Sequence, residues 1–183
     1  MRSKVIFPDK VASGLAECLR FKKRWPSWIA GFDLVGEEGM GKPLNSFVPE
    51  LLQFRKDCAL AGVGEIPLLF HCGETLESGS EADDNLLDAL LLGSRRIGHG
   101  FSLARRPYLM ERMKKAGVCV ELCPISNEVL GLTPRVSGHA MYGILANNVS
   151  TPFVTHVDRR GCSRMKAGSW YRRAIEAAGG PHY

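Results

Sequence analysis

No run of about 18 apolar residues occurs in the 183-residue sequence, so no membrane-spanning helix is expected. Residues 1–10 hold no apolar leader core, so no secretory signal is expected, and the compartment is left open. The six cysteines, at 18, 58, 72, 119, 123 and 162, form no CxxC pair and show no dense small-domain spacing. That excludes a disulfide framework read from spacing and predicts buried or partly buried thiols, as in a reducing compartment. GEEGMG at 36–41 is not GxGxxG, and Lys42 is followed by Pro43 rather than Ser or Thr, which excludes a P-loop. A loop that brings backbone N–H groups near a ligand fits these glycines better. Charge of one sign is also missing from the body. Residues 1–149 carry 18 Lys+Arg against 17 Asp+Glu, a balance of +1, while residues 150–183 carry 6 against 2. The net +5 therefore belongs mostly to the tail, and a nucleic-acid partner is not expected.

What is present is an alternation of helix and strand patterns. FPDKVASGLAECLRFKKRW places Val11, Leu15, Cys18 and Leu19 on one helical face. A helix is predicted over 46–62 with Pro49 in its first turn, and another after the cap-like Ser80 with its acidic first turn. RRPYLMERMKKAG reads as a helix stopped by Gly117, and SGHAMYGILANN as the last helix. Strands are predicted to begin near 28, 66, 95 and 118, each apolar on both faces, as parallel strands under helices require. The class is α/β, either doubly wound or a (β/α)8 barrel. Unusual polar residues stand at the carboxyl end of every strand: Glu37 and Glu38, His71 and Glu74, His99, then Ser126 and Asn127. Four polar ends in succession favour the barrel rim over a single switch point, although closure takes about eight strands.

The stretch LLFHCGET supplies the first candidate site. His71 can ligate a metal, and Glu74 can point into the same pocket. The same residues also read as a satisfied strand-end histidine and a cap of the next helix. His99 lies between Gly98 and Gly100 in RIGHGF, where a sharp turn exposes the ring as base or orienter; such a histidine can equally be structural. Cys72 alternates to the opposite face from His71 and is expected to pack. Cys123 precedes Pro124, and Ile125, Ser126 and Asn127 supply no PCxxC, so the cytidine-deaminase zinc pattern is excluded. The tail RRGCSRMKAGSWYRRA reads as a solvated or helical basic end, and nothing places His156 or Asp158 on the rim.

Taken in order, GFDLVGEE, FHCGE, RIGHGF and ELCPISN resemble the adenosine deaminase family, most closely its growth-factor-related, extracellular branch. The resemblance runs from about Val5 to Val149 and implies strands four to seven of a zinc-bearing (β/α)8 barrel. The expected fold is thus an incomplete TIM barrel of the metal-dependent hydrolase type. Residues 1–149 form the barrel-type domain and 150–183 a basic tail outside the family. By match to the family motifs, His71 is similar to a zinc ligand, and Glu74 to the acid that protonates N1 of the purine. His99 is similar to the histidine that orients and deprotonates the attacking water, and Gly36 to the residue whose backbone contacts purine N3. The resemblance implies hydrolysis of an adenosine-type nucleoside to inosine and ammonia, with zinc activating the water.

Two family features are absent: no HxH occurs in the chain, and STPFVTHVDRRGCSR stands where the tandem acidic motif is expected. One histidine does not make a catalytic zinc site, which uses three protein ligands and a water. The sequence therefore predicts a catalytically incomplete fragment by itself. The alternative is a non-catalytic fragment or interaction protein that associates through open sheet edges.

Overall fold

The computed structural model describes residues 8–149. The basic tail, with His156 and Asp158, lies outside the described residues. Helix α1 spans Pro8–Arg24 and α2 Val48–Leu60, with Pro49 inside its first turn as the sequence predicts. Strand β1 is His71–Cys72, followed by α3 at Glu81–Leu91 and β2 at Arg96–His99. Then come α4 at Pro107–Lys115, β3 at Cys119–Glu121, α5 at Pro124–Val129 and α6 at Met141–Ala146. Ser80 caps α3 by accepting the Asp83 N–H at 3.3 Å, which satisfies one orphan donor of the first turn.

The sheet order is β1-β2-β3, with every pair parallel. His71 pairs with Gly98, and Gly98 with Glu121, so the strands step sideways in chain order without a reversal. A doubly wound sheet reverses its order at a switch point, whereas a barrel wall does not. Three parallel strands stepping in chain order, covered by helices on one side, fit a piece of barrel wall. Ile97, Val120 and Leu122 are fully buried, and Leu86, Leu103 and Met113 from the helical layer join the same core. Each such side chain contributes about 1.5–3 kcal/mol relative to exposure. Cys72 is 1% exposed in this core, and burial pushes its thiol well above the usual range. It packs, as the alternation rule predicts.

Four boundaries differ from the sequence reading. The strand expected from about 66 is reduced to His71–Cys72. The strand expected near 28 contributes only an isolated parallel bridge, Phe32 to Leu68, held by Leu69 N–H donating to the Phe32 carbonyl at 2.8 Å. The ladder stops there because the Asp33 side chain takes over: its Oδ1 accepts the His71 N–H at 3.0 Å. The expected strand over 118–127 ends at Glu121, and Pro124 opens α5, a position where its missing N–H is no loss. The last helix is shorter than expected. A 3-10 turn at Val136–Gly138 precedes it, and the His139 ring accepts the Met141 N–H at 2.8 Å, capping α6 from one residue outside.

Candidate active site

The carboxyl ends of β1 and β2 bring three sequence-predicted residues together. The rings of His71 and His99 lie 5.3 Å apart between centroids. Glu74 Oε1 lies 2.7 Å from His99 Nδ1. Gly36 and His71 line one small cleft of about 70 Å³ with Glu38, Lys42 and Asn85. Glu74 and His99 stand beside this cleft rather than in its lining.

Backbone geometry aims each group. Strand alternation would send His99 to the same side as Ile97. His99 instead has φ of 66°, in the left-handed region, and Gly100 follows at 55°. A left-handed non-glycine residue costs on the order of 1–3 kcal/mol and persists where its surroundings enforce it. Here the turn re-aims the ring toward His71 and Glu74. Gly98 leaves room for this: a Cβ at that position would lie 2.9 Å from the His71 ring carbons Cγ and Cδ2.

Asp33 holds His71 twice. Its Oδ1 accepts the backbone N–H at 3.0 Å and its Oδ2 pairs with ring Nδ1 at 2.7 Å. Burial alone would lower the His71 pKa; the hydrogen bond and charge of Asp33 outweigh it and hold the pKa above its ordinary value. A carboxylate on Nδ1 is the orientation partner that metal-binding histidines use, since it leaves Nε2 as the ligating nitrogen. Arg96 extends the belt across the sheet, donating to Asp33 Oδ2 at 3.1 Å and Glu121 Oε1 at 3.0 Å.

Glu38 supports the loop that carries Glu74. Its Oε1 accepts from Gly73 N–H at 3.0 Å and from the Asn85 amide at 2.8 Å, and its Oε2 accepts from Glu74 N–H at 2.6 Å. Burial raises the Glu38 pKa despite these bonds, and the neighbouring Glu74 charge adds to the rise. On the other flank, Asn127 and His139 pack behind His99, with the Asn127 amide nitrogen 2.9 Å from His99 Nδ1. Asp33 and His139 were not among the residues singled out from the sequence. Asp33 had a signal, as the one charged residue in an otherwise apolar run, WIAGFDLVG. His139 sits in a helical pattern that gives no sign of its partner.

His71 with Asp33 behind it suits one ligand position of a metal. The rest of a site is not there: among the described residues no group of three or more His, Cys, Asp or Glu is arranged to hold a metal ion.

The parallel sheet thus carries an acid, an imidazole and a carboxylate-backed histidine at its carboxyl rim, the edge where barrel enzymes place their chemistry. Comparison makes it specific. The adenosine deaminase family profile matches residues 3–179, a span that runs past Val149. Adenosine deaminase 2-A of Danio rerio is 41% identical over 130 residues, covering 71% of this chain and 25% of the relative. Adenosine deaminase 2 of Homo sapiens is 38% identical over 150 residues, covering 78% and 28%. Among solved structures, Arabidopsis ADAL complexed with GMP superposes with a TM-score of 0.72 at 17% identity, covering 97% of this chain and 47% of that one. The chain belongs to the adenosine deaminase family, a family of metal-dependent aminohydrolases, and its relatives named adenosine deaminase 2 represent the growth-factor-related branch. It spans about a quarter of the length of the curated relatives it matches, between 22% and 28%.

Proposed function

We propose that residues 8–149 form the acid–base side of an adenosine deaminase-type site that acts on an adenosine-type nucleoside. In the reaction, water adds to C6 of the purine, ammonia leaves and inosine forms. Glu74 donates the proton to N1 that makes C6 electrophilic. His99 stands beside the attacking oxygen, where it orients the water. The Gly36 backbone receives the N3 edge in the cleft that it shares with His71. His71, turned by Asp33, is one ligand to zinc, and the remaining ligands come from outside the described residues. The observation that carries this reading is the 2.7 Å approach of Glu74 to His99 beside the His71 ring.

The test has two parts. The purified chain, dialysed and assayed by metal analysis and inosine formation, is expected to hold zinc below one equivalent and to form no inosine. Stoichiometric zinc with turnover would refute the half-site assignment. In the second part, this chain's segment replaces the matching 130-residue segment of the Danio rerio relative. Glu74→Gln in that chimera should lower kcat by on the order of 10²–10⁴ while zinc stays bound. Unchanged turnover would remove Glu74 from the proton-donor role.

We also infer that the chain self-associates through its sheet edges. Strand β3 is paired only with β2 among the described residues, and such an edge offers open donors and acceptors. Sedimentation velocity across a concentration series reads this directly; a monomer at all concentrations would dispose of it.

A further inference from the structure

We propose that Asn127 and His139 are positioning residues that fix the tautomer and orientation of the His99 ring. The order of donors follows from one backbone group. The Met141 N–H can only donate, and it donates to His139 Nδ1 at 2.8 Å. Nδ1 of His139 is therefore bare, and the proton of the neutral ring sits on Nε2. That Nε2–H meets Asn127 Oδ1 at 2.9 Å, which orients the amide. The amide NH₂ must then face the other way, onto His99 Nδ1 at 2.9 Å. His99 Nδ1 accepts, so the His99 proton sits on Nε2.

Three features keep the relay in place. Asn127 is 0% exposed, His139 2% and His99 3%, so bulk water does not compete for these bonds. The Phe101 ring stacks edge-on against His139, with centroids 5.1 Å apart and planes at 82°. Burial, with His99 adding to it, lowers the His139 pKa to about 4, which keeps that ring neutral at physiological pH. The consequence reaches Glu74. Its Oε1 lies 2.7 Å from the same His99 nitrogen, whose lone pair already accepts the amide proton. Glu74 Oε1 accordingly makes no hydrogen bond among the described residues, despite the short approach. The tautomer assignment stands on geometry alone; its value for catalysis rests on the proposed role of His99.

Long-range ¹H–¹⁵N correlation spectra of the histidine rings in the 183-residue chain test the relay without any activity assay. The wild-type chain is expected to show the Nε2–H tautomer at both His99 and His139 at neutral pH. Asn127→Asp removes the amide donor and should reverse His99 to Nδ1–H. His139→Phe keeps a ring in the pocket but frees the amide to flip, and His99 should become a mixture of tautomers. His139→Gln, which can still accept from Met141 and donate to Asn127, should restore the wild-type pattern. Nδ1–H at His99 in the wild type overturns the proposal. So does an unchanged His99 spectrum in the folded Asn127→Asp and His139→Phe variants, because a merely structural role would lower stability without moving the tautomer. If Asn127→Asp does not fold, the wild-type and His139→Phe spectra decide the matter. Reversal of the tautomer alongside a chimera that never deaminates supports the relay and removes only the catalytic reading.

Discussion

Acid should unfold this chain through His139 before most carboxylates titrate. The ring is 2% exposed, and burial together with nearby His99 lowers its pKa from 6.5 to about 4. In the unfolded chain it takes up a proton near pH 6.5; in the folded chain it stays bare until about pH 4. The unfolded state thus binds more protons throughout that window, and stability rises with pH across it. The contribution is complete above pH 6.5 and is lost as pH falls toward 4. Between pH 7.5 and 4.5 the linkage comes to about 2.5 kcal/mol, since a tenfold change in proton affinity corresponds to about 1.4 kcal/mol. Glu38 and His71, both raised, titrate in the opposite sense and partly mask the effect in the wild type alone. Subtraction of a variant removes that background. Urea unfolding of the wild type and of His139→Gln at both pH values should show the wild type losing about 2–3 kcal/mol more than the variant. That difference moves the relative midpoint by roughly 1–2 M for a domain of this size. Equal losses in the two proteins would show that His139 is not held neutral in the fold, and the donor order through Asn127 would fall with it.

Other perturbations probe the supports of the site. Gly98→Ala puts a methyl 2.9 Å from the His71 ring and should cost about 1–3 kcal/mol in urea unfolding while displacing the His71 ring resonances. An unperturbed ring in that variant would contradict the close approach. Glu38→Ala leaves the Gly73 and Glu74 N–H groups without their acceptor and should lose about 2–4 kcal/mol, with faster amide exchange confined to residues 73–75. Asp33→Asn keeps the shape but weakens the acceptor on His71 Nδ1 and the partner of Arg96. The His71 pKa should fall toward or below its ordinary value when followed by NMR titration; a value still raised would assign the rise to another group.

The sequence was informative wherever a residue's role depends on its neighbours along the chain. Ser80 caps α3 because a hydroxyl before an acidic turn suits orphan N–H groups, and Pro49 sits where a helix tolerates it. Cys72 is buried because it alternates with His71. That His71, Glu74 and His99 stand at the carboxyl ends of neighbouring strands was legible in one repeating pattern; that Glu74 lies against His99 and outside the cleft lined by His71 was not. What was not legible depends on pairing across the sheet. Asp33 acts 38 residues from His71. Glu38 reads as a strand-end carboxylate, yet it is an acceptor for the Glu74 loop 36 residues on. Asn127 was visible only as a strand-end polar residue, since its two histidine partners come from β2 and the turn before α6. The left-handed φ of His99 was also hidden: the flanking glycines suggested a turn, but not that the histidine itself takes the strained conformation.

The central claim is that Gly36, His71, Glu74 and His99 belong to one purine-facing site. Titration of the ¹⁵N-labelled chain with inosine, followed by amide and imidazole spectra, tests it most directly. Saturable shifts confined to residues near 36, 73–75 and 98–100 and to the two rings are the expected result. Saturable shifts centred instead on the groove that Leu87 and Leu91 of α3 form with Tyr108 and Arg112 of α4, with those positions unmoved, would contradict it.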